Sequence, residues 1–317
     1  MNMSTLPQSI KAQRGVALIV ALLVVALATV LIAGLLDRGE LTAARTRNQL
    51  RSAQAEEYAQ GLEAYAARVL MQDAANGGNV DASGDMWSVP LPPTPVPGGE
   101  ISATMSDLDG RFNLNNLDPA FDTAGIWQRK FGQLLTALKL DPNLAQVVHD
   151  WMSNAAGNST GDQYYLGQPV PYRSARRPFM HVSELRLLKG VSGEVYAQLA
   201  PHVSALPAGS KINLNTASVP VLMTLATPAG PLTQQSAQAL WQQGHARYQT
   251  VGELRTVVTD LLLDCNACYD VRSEYFLARG QITLDGLPLV FHSLLQRGSG
   301  PTNGGVHVIQ RSRGADG

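Results

Sequence analysis

Two cysteines, Cys265 and Cys268, stand in Asp264-Cys265-Asn266-Ala267-Cys268-Tyr269-Asp270, and the 317 residues hold no others. Three chemistries use a C-x-x-C pair. A thioredoxin-like redox centre wants a helix N-terminus inside a βαβ pattern, which the flanking sequence lacks. A zinc centre needs two further ligands, and the six histidines are scattered between His149 and His307. A short structural disulfide in an oxidising compartment is the simplest of the three. The same loop is dense in oxygen, with Asp260, Asp264, Asn266 and Asp270, and with Asp118 and Asp122 near it if the two ends of the intervening region meet. Calcium takes about six to eight oxygens from loops of this composition. The spacing is not that of an EF-hand, and ordinary capping and loop duties account for these acids equally well.

Familiar catalytic sets are missing from the sequence: there is no H-E-x-x-H, no G-x-S-x-G and no Walker A loop. Asp107 and Asp109 fall beside a turn, where acids serve conformation. The chain is therefore expected to be an interaction and assembly component rather than an enzyme. Its 24 basic and 25 acidic residues give a net charge of −1, without the basic surplus that nucleic-acid binding requires.

The element that must carry everything else is Val16 to Leu36, uncharged, with Thr29 its only polar side chain. At about 1.5 Å per residue such a helix just spans a hydrocarbon core of about 30 Å. It is longer than the apolar region usual in a secretory signal and flows into helix formers instead of ending at a cleavage site. Lys11 and Arg14 precede it without an acid, which places the N-terminus on the cytoplasmic side and the remainder across the membrane. Helix formers continue to about Gln72, and Tyr58, Leu62, Tyr65, Ala66 and Val69 recur at helical spacing as one stripe.

Residues 73–99 are rich in Gly, Pro, Asp and Asn and read as loop with at most a short extended piece, pinned to a core by Trp87. Glu100 to Leu114 alternates about Asp109-Gly110 and predicts a hairpin. A second hairpin is expected over 275–296 about Asp285-Gly286, and Val306 to Gln310 adds an edge strand. Between these lie helical patterns at Ile126–Leu138, Asn143–Ser153, Val182–Lys189, Ser192–Leu199, Val219–Leu225, Gln234–Gln242 and Val251–Leu262. The region repeats itself. Phe112-Asn113-Leu114-Asn115-Asn116-Leu117 recurs as Ile212-Asn213-Leu214-Asn215-Thr216-Ala217, and His181-Val182-Ser183-Glu184-Leu185 as Thr250-Val251-Gly252-Glu253-Leu254. The order of elements predicts an α+β fold. A long N-terminal transmembrane and amphipathic helix packs on an antiparallel sheet interrupted by a large all-α insert.

Lys211 to Ser218 followed by a G-E-L element resembles the helix-hairpin-helix fold of DNA-uptake and repair proteins. The loop that would hold phosphate reads Thr227-Pro228-Ala229-Gly230-Pro231-Leu232. Its two prolines lack amide hydrogens, and no Lys or Arg falls between Ile212 and Ala246. Asn213 and Asn215 are read as structural, bridging backbone groups at a strand-to-helix turn. A membrane-tethered DNA-binding module is the alternative from another functional class.

The junction Arg14-Gly15-Val16-Ala17-Leu18-Ile19 resembles the processing site of type IV pilin-like proteins. The resemblance implies that a prepilin peptidase cuts after Gly15 and methylates Val16. Most members carry a glutamate at the fifth mature position, where this chain has Val20. Loss of that acid, with the N-L-N repeats in a helical insert and the closing strands, resembles the K-type minor pseudopilins of type II secretion over nearly the whole chain. That family implies a pilin-like fold: a leader at 1–15, a transmembrane segment at 16–36, helix, loop and first strands at 37–114, an insert at 115–263 and final strands at 264–317. It further implies a non-enzymatic subunit, anchored in the bacterial inner membrane and facing the periplasm, that initiates and caps a pseudopilus. Its partners would be minor pseudopilins of the I, J and H types, the inner-membrane assembly platform and secreted substrates. Such proteins are described as binding calcium, which implicates Asp264, Asn266 and Asp270. A type IV pilus tip subunit of similar build is the nearest alternative.

Overall fold

The computed structural model describes residues 11–77, 79–153, 159–263, 265, 267–298 and 305–314. The chain divides into two compact units, residues 1–57 and 58–317. Every described residue of the first unit belongs to helix α1 (Lys11–Gly77). From Gly15 to Leu36 its side chains are exposed, and this stretch is long and apolar enough to cross a membrane. The Thr29 hydroxyl donates to the Val25 carbonyl at 2.8 Å, so its polarity is satisfied within the helix.

The second unit begins with the last turns of α1. The Pro-rich stretch, read from sequence as loop with at most a short extended piece, holds such a piece as strand β1 (Leu91–Val96), which turns at Pro97-Gly98 into β2 (Gly99–Asp107). Gly98 lies at φ 88°, the left-handed region that a tight turn demands. β1 is the edge of the sheet, the position where prolines are tolerated. The hairpin expected about Asp109-Gly110 does not form. The chain leaves the sheet after Asp107, and β3 (Phe112–Asn113) pairs instead, in parallel, with β4 (Val203–Ser204).

The inserted region carries α2 (Ile126–Ala137), α3 (Leu144–Met152), α4 (Ser159–Leu166) and α5 (Gly193–Leu199) ahead of β4. Then come β5 (Ile212–Asn213), the single turn α6 (Val219–Leu222), the small pair β6 (Ala226–Thr227) and β7 (Gly230–Pro231), α7 (Gln234–Trp241) and β8 (Tyr269–Asp270). Helix α4 has no counterpart in the sequence reading. Val182–Leu187 and Val251–Thr256 are 3-10 segments rather than the longer α-helices expected there. In the first, Glu184 turns back to accept from the backbone of Met180 and His181, which satisfies donors without a longer helix.

β9 (Tyr275–Leu284) and β10 (Leu287–Arg297) form the hairpin expected over 275–296, with Asp285 and Gly286 both at positive φ as a type I′-like turn requires. β11 (Val306–Arg313) completes an antiparallel sheet in the order β1-β2-β9-β10-β11. The helix face that meets this sheet is Leu62, Ala66, Val69 and Leu70, the last three packed with Trp87, Phe276 and Leu295. Tyr65, placed by spacing on the same stripe, is exposed. Its place is taken by Glu63, whose carboxylate accepts from Ser293 and from both forks of Arg311 at 2.6–2.8 Å. Burial raises the Glu63 pKa, but these bonds outweigh it and hold the group below its usual value. The close approach rests on a small residue: a Cβ on Gly280 would lie 2.9 Å from Leu62 Cδ1. Trp87 sits edge-on to Phe276 at 5.3 Å and so pins its loop, as its sequence context suggests.

Candidate functional site

The sequence repeat is a structural repeat. In each half, the first asparagine of the N-L-N motif folds its Oδ1 back onto the backbone N–H of the second, Asn113 to Asn115 at 3.1 Å and Asn213 to Asn215 at 3.0 Å. The second asparagine then grips both backbone groups of a distant aromatic. Asn115 accepts from Phe179 N at 2.7 Å and donates to Phe179 O at 2.9 Å. Asn215 does the same with Tyr248 at 2.7 and 3.1 Å. Phe179 and Tyr248 each stand five residues before the glutamate of an E-L pair, and that glutamate accepts from the next backbone N–H at 2.7 Å in both halves. Each half also returns to its own N-L-N strand through a parallel pair, β3 with β4 and β5 with β8. A primary amide can accept and donate at once, which fits asparagine to clamp an extended backbone. Reading Asn213 and Asn215 as structural is correct. Both side chains are consumed internally, and Thr227 and Gly230 of the would-be phosphate loop pair with one another instead.

The two ends of the insert meet the sheet through buried acids. Asp107 Oδ2 accepts from Ser273 Oγ at 2.6 Å, from Asn213 Nδ2 at 3.3 Å and from Thr216 Oγ1, while its Oδ1 takes Asp109 N at 2.8 Å. Asp109 Oδ2 accepts from the backbone of Glu274 and Tyr275 at 2.6 and 3.0 Å. Burial, then the neighbouring charge of Asp107, pushes the Asp109 carboxyl up to about 8, and burial raises Asp107 as well. Gly110 permits this closeness, since a Cβ there would fall 2.7 Å from the Thr216 carbonyl oxygen. These contacts explain the missing first hairpin: the Asp-Gly turn is drawn onto the strand entering β9, with Leu108 N donating to Tyr275 O at 3.0 Å.

Alongside lies a second acidic group, Asp73, Asp81 and Asp85, whose carboxylate oxygens come within 4.8 Å of one another. Such a triad could hold a metal, but arginines already sit on it. Arg297 is itself buried, pairs with Asp81 and lies 3.7 Å from Asp73, and Arg247 pairs with Asp85. Burial first, then Asp85 and Asp81, pushes the Asp73 carboxyl up to about 6. Arg297 also donates to Ser273 O at 2.7 Å, and Asn213 Nδ2 to Asp81 O at 3.1 Å, so triad and junction form one network. Sequence reasoning missed Asp73, Asp81, Asp85, Ser273 and Arg297. Asp81 and Arg297 are 216 positions apart, and no local pattern links them.

Cys265 and Cys268 are joined as a disulfide with Cα atoms 5.3 Å apart. Cys268 O accepts from Ile212 N at 2.8 Å, which hooks the bridged loop to the second N-L-N strand. Asp264 and Asn266 lie outside the described residues. Asp270 is on β8, where its carboxylate accepts from Lys211 Nζ at 2.9 Å and from Val271 N at 2.9 Å. Asp118 and Asp122 serve locally, accepting from Ala120 N and Gln128 N. Gly15, Val16 and Val20 are exposed residues of α1 in the first unit.

A helix packed on an antiparallel sheet, behind an N-terminal apolar span and interrupted by a helical tandem, is a pilin-like protein. The family description "Type II secretion system (T2SS), protein K" matches residues 110–208. Type II secretion system protein K of Pseudomonas aeruginosa is 35% identical over 97% of this chain and 95% of its own length. That of Pectobacterium carotovorum is 31% identical over 95% and 97%. A chain of the GspK-GspI-GspJ complex from the type 2 secretion system of enterotoxigenic Escherichia coli has the same fold. Its TM-score is 0.72 at 24% identity, over 86% of this chain and all of the other. The protein belongs to the type II secretion system protein K family.

Proposed function

We propose that this chain is the minor pseudopilin at the tip of a type II secretion pseudopilus, where it initiates assembly and closes the end. The observation that carries this reading is the pairing of a charge-free span with a helical tandem inserted between β2 and β9. A filament subunit with a neighbour above it gains from a buried acid that pairs with that neighbour's N-terminus. A subunit with none would bury an unpaired charge in lipid, at a cost of about 2.5–3.5 kcal/mol at the bilayer centre. Val20 avoids that cost, and the insert occupies the space that a further subunit would need. In this reading a prepilin peptidase cuts after Gly15 and methylates Val16, and the globular part lies in the periplasm. The partners are I- and J-type minor pseudopilins, in keeping with the complex that contains the structural relative, then the H type, the inner-membrane assembly platform and exported substrates. The role is assembly rather than a reaction, and nucleic acid is not a ligand.

Co-purification of the full chain with I- and J-type minor pseudopilins tests the placement, and absence of both from the complex would overturn it. Val20→Glu is expected to impair tip assembly and export, and unchanged export would remove the account of the missing acid. Calcium at the disulfide loop belongs to the same proposal. Asp270 offers hard oxygen, and the Lys211 head on it is about half exposed and free to swing away when an ion binds. Equal unfolding midpoints with and without EGTA would discard the ion.

A further inference from the structure

One face of the insert combines exposed apolar side chains with uncompensated positive charge. Tyr164, Leu166, Val170, Met180 and Leu187 all project into solvent, Val170 at 79% and Met180 at 60% exposure. All lie between residues 164 and 187, and contacts within this stretch draw its parts together. Lys189 Nζ lies 5.1 Å over the Tyr164 ring, Tyr172 donates from its hydroxyl to Leu187 O at 2.8 Å, and Met180 N donates to Glu184 at 2.7 Å. From Asp162 to Lys189 the acids are Asp162 and Glu184, and these are taken by Arg176 at 2.6 Å and Arg177 at 3.2 Å. Arg173, Arg186 and Lys189 remain exposed with no carboxylate partner among the described residues. In a chain of net charge −1 this is a local excess.

The face is also built in advance. Asp162 gathers Ser174 N at 3.1 Å, Ser174 Oγ at 2.8 Å and Arg176, bonds that hold its carboxyl below the usual range. Arg176 is fixed at φ 52°, and its N–H is anchored on Trp151 O at 2.9 Å. A non-glycine residue is held in that region only where the surrounding bonds offset its strain. A surface ordered before contact loses less entropy when it binds.

We propose that this face docks an acidic polypeptide segment of another protein, with aliphatic or aromatic side chains spaced between its carboxylates. Three cations without a carboxylate partner, Arg186 and Lys189 of them resting on the Tyr196 and Tyr164 rings at 4.7 and 5.1 Å, set beside apolar side chains, complement that chemistry. A phosphate surface would meet the charges and leave Val170 and Met180 in water, and a neutral apolar partner would bury the cations unpaired. The proposal stands on this face alone and does not depend on the tip assignment.

The test uses the full chain in phosphatidylcholine nanodiscs and a fluorescein-labelled peptide of alternating Glu-Leu and Asp-Phe pairs. A second peptide carries lysine at every acid. Anisotropy should show binding of the acidic peptide that weakens with salt, and little binding of the lysine peptide. Combined Arg173→Glu, Arg186→Glu and Lys189→Glu should weaken it about tenfold or more, and Val170→Asp with Met180→Asp should also weaken it. These side chains are exposed, so an unchanged melting temperature is expected and keeps the result readable. Equal binding of both peptides, or affinity indifferent to charge reversal, would overturn the proposal. So would a charge reversal that altered only binding to anionic vesicles, or only self-association of the chain.

Discussion

The two halves of the insert share a motif and differ in what it holds. In the first, Asn113 Nδ2 donates to Pro207 O and Ser210 Oγ, both at 2.9 Å, and Asn116 joins the same loop, so the motif ties the insert to itself. In the second, Asn213 Nδ2 reaches Asp81 O, Asp107 Oδ2 and Ser273 Oγ, the network from which the sheet resumes at β9. The local fold is set by the asparagines; the task is set by what lies beside them. One copy builds the insert and the other moors it to the sheet.

The hardest test of this contrast is at the mooring. Arg297→Ala leaves Asp81 buried without its cation and should cost about 3–5 kcal/mol in a denaturant titration. A loss below 1 kcal/mol would mean that the network contributes little to the attachment. Next come the two asparagines. Asn113→Ala and Asn213→Ala should each cost about 1–3 kcal/mol for every buried group left unpaired. Their hydrogen-exchange patterns should separate, with residues 271–275 deprotected by Asn213→Ala and residues 206–210 by Asn113→Ala. Deprotection of the same segment by both would dissolve the comparison.

A pH profile sharpens it further. Unfolded, Asp109 ionises near the ordinary carboxylate value of 3.8; folded, it does so at about 8. Between those values the unfolded chain sheds a proton that the fold retains, so stability falls as pH rises through the window and levels off above it. Asp73, folded at about 6, adds to the lower part of the fall. Asp109→Asn should flatten the slope, chiefly above pH 6, and an unchanged slope would place the titrating group elsewhere. The smallest effect belongs to the disulfide. It closes a four-residue loop, so Cys265→Ser with Cys268→Ser should cost about 2 kcal/mol or less.

Much of the framework is legible in the chain. The Asp285-Gly286 hairpin follows from alternation about a dipeptide that tolerates positive φ, and the N-L-N echo marks the tandem. The Asp109-Gly110 turn carries the same local signal and yields no hairpin, because the Asp107 and Asp109 carboxylates are claimed by Ser273, Glu274 and Tyr275, far along the chain. β1 is legible only as a short extended piece: its prolines argue against a paired strand, and only a sheet edge admits them. The α1 stripe is misplaced toward Tyr65 because an Ala-rich helix offers two adjacent apolar faces. Glu63 settles the choice by meeting Ser293 and Arg311.

Residue order alone determined the charge-free apolar span, the α+β class, the duplicated asparagine motif and the cysteine pair, because each is written in neighbours a few positions apart. Only the tertiary structure decided which copy of the motif meets the sheet, how Arg297 and Arg247 reconcile three buried acids, and which cations on the insert lack a carboxylate. Those outcomes depend on charges and backbone groups brought together across as many as 216 positions, and the energy of a buried charge is set by whatever lies within a few ångströms of it.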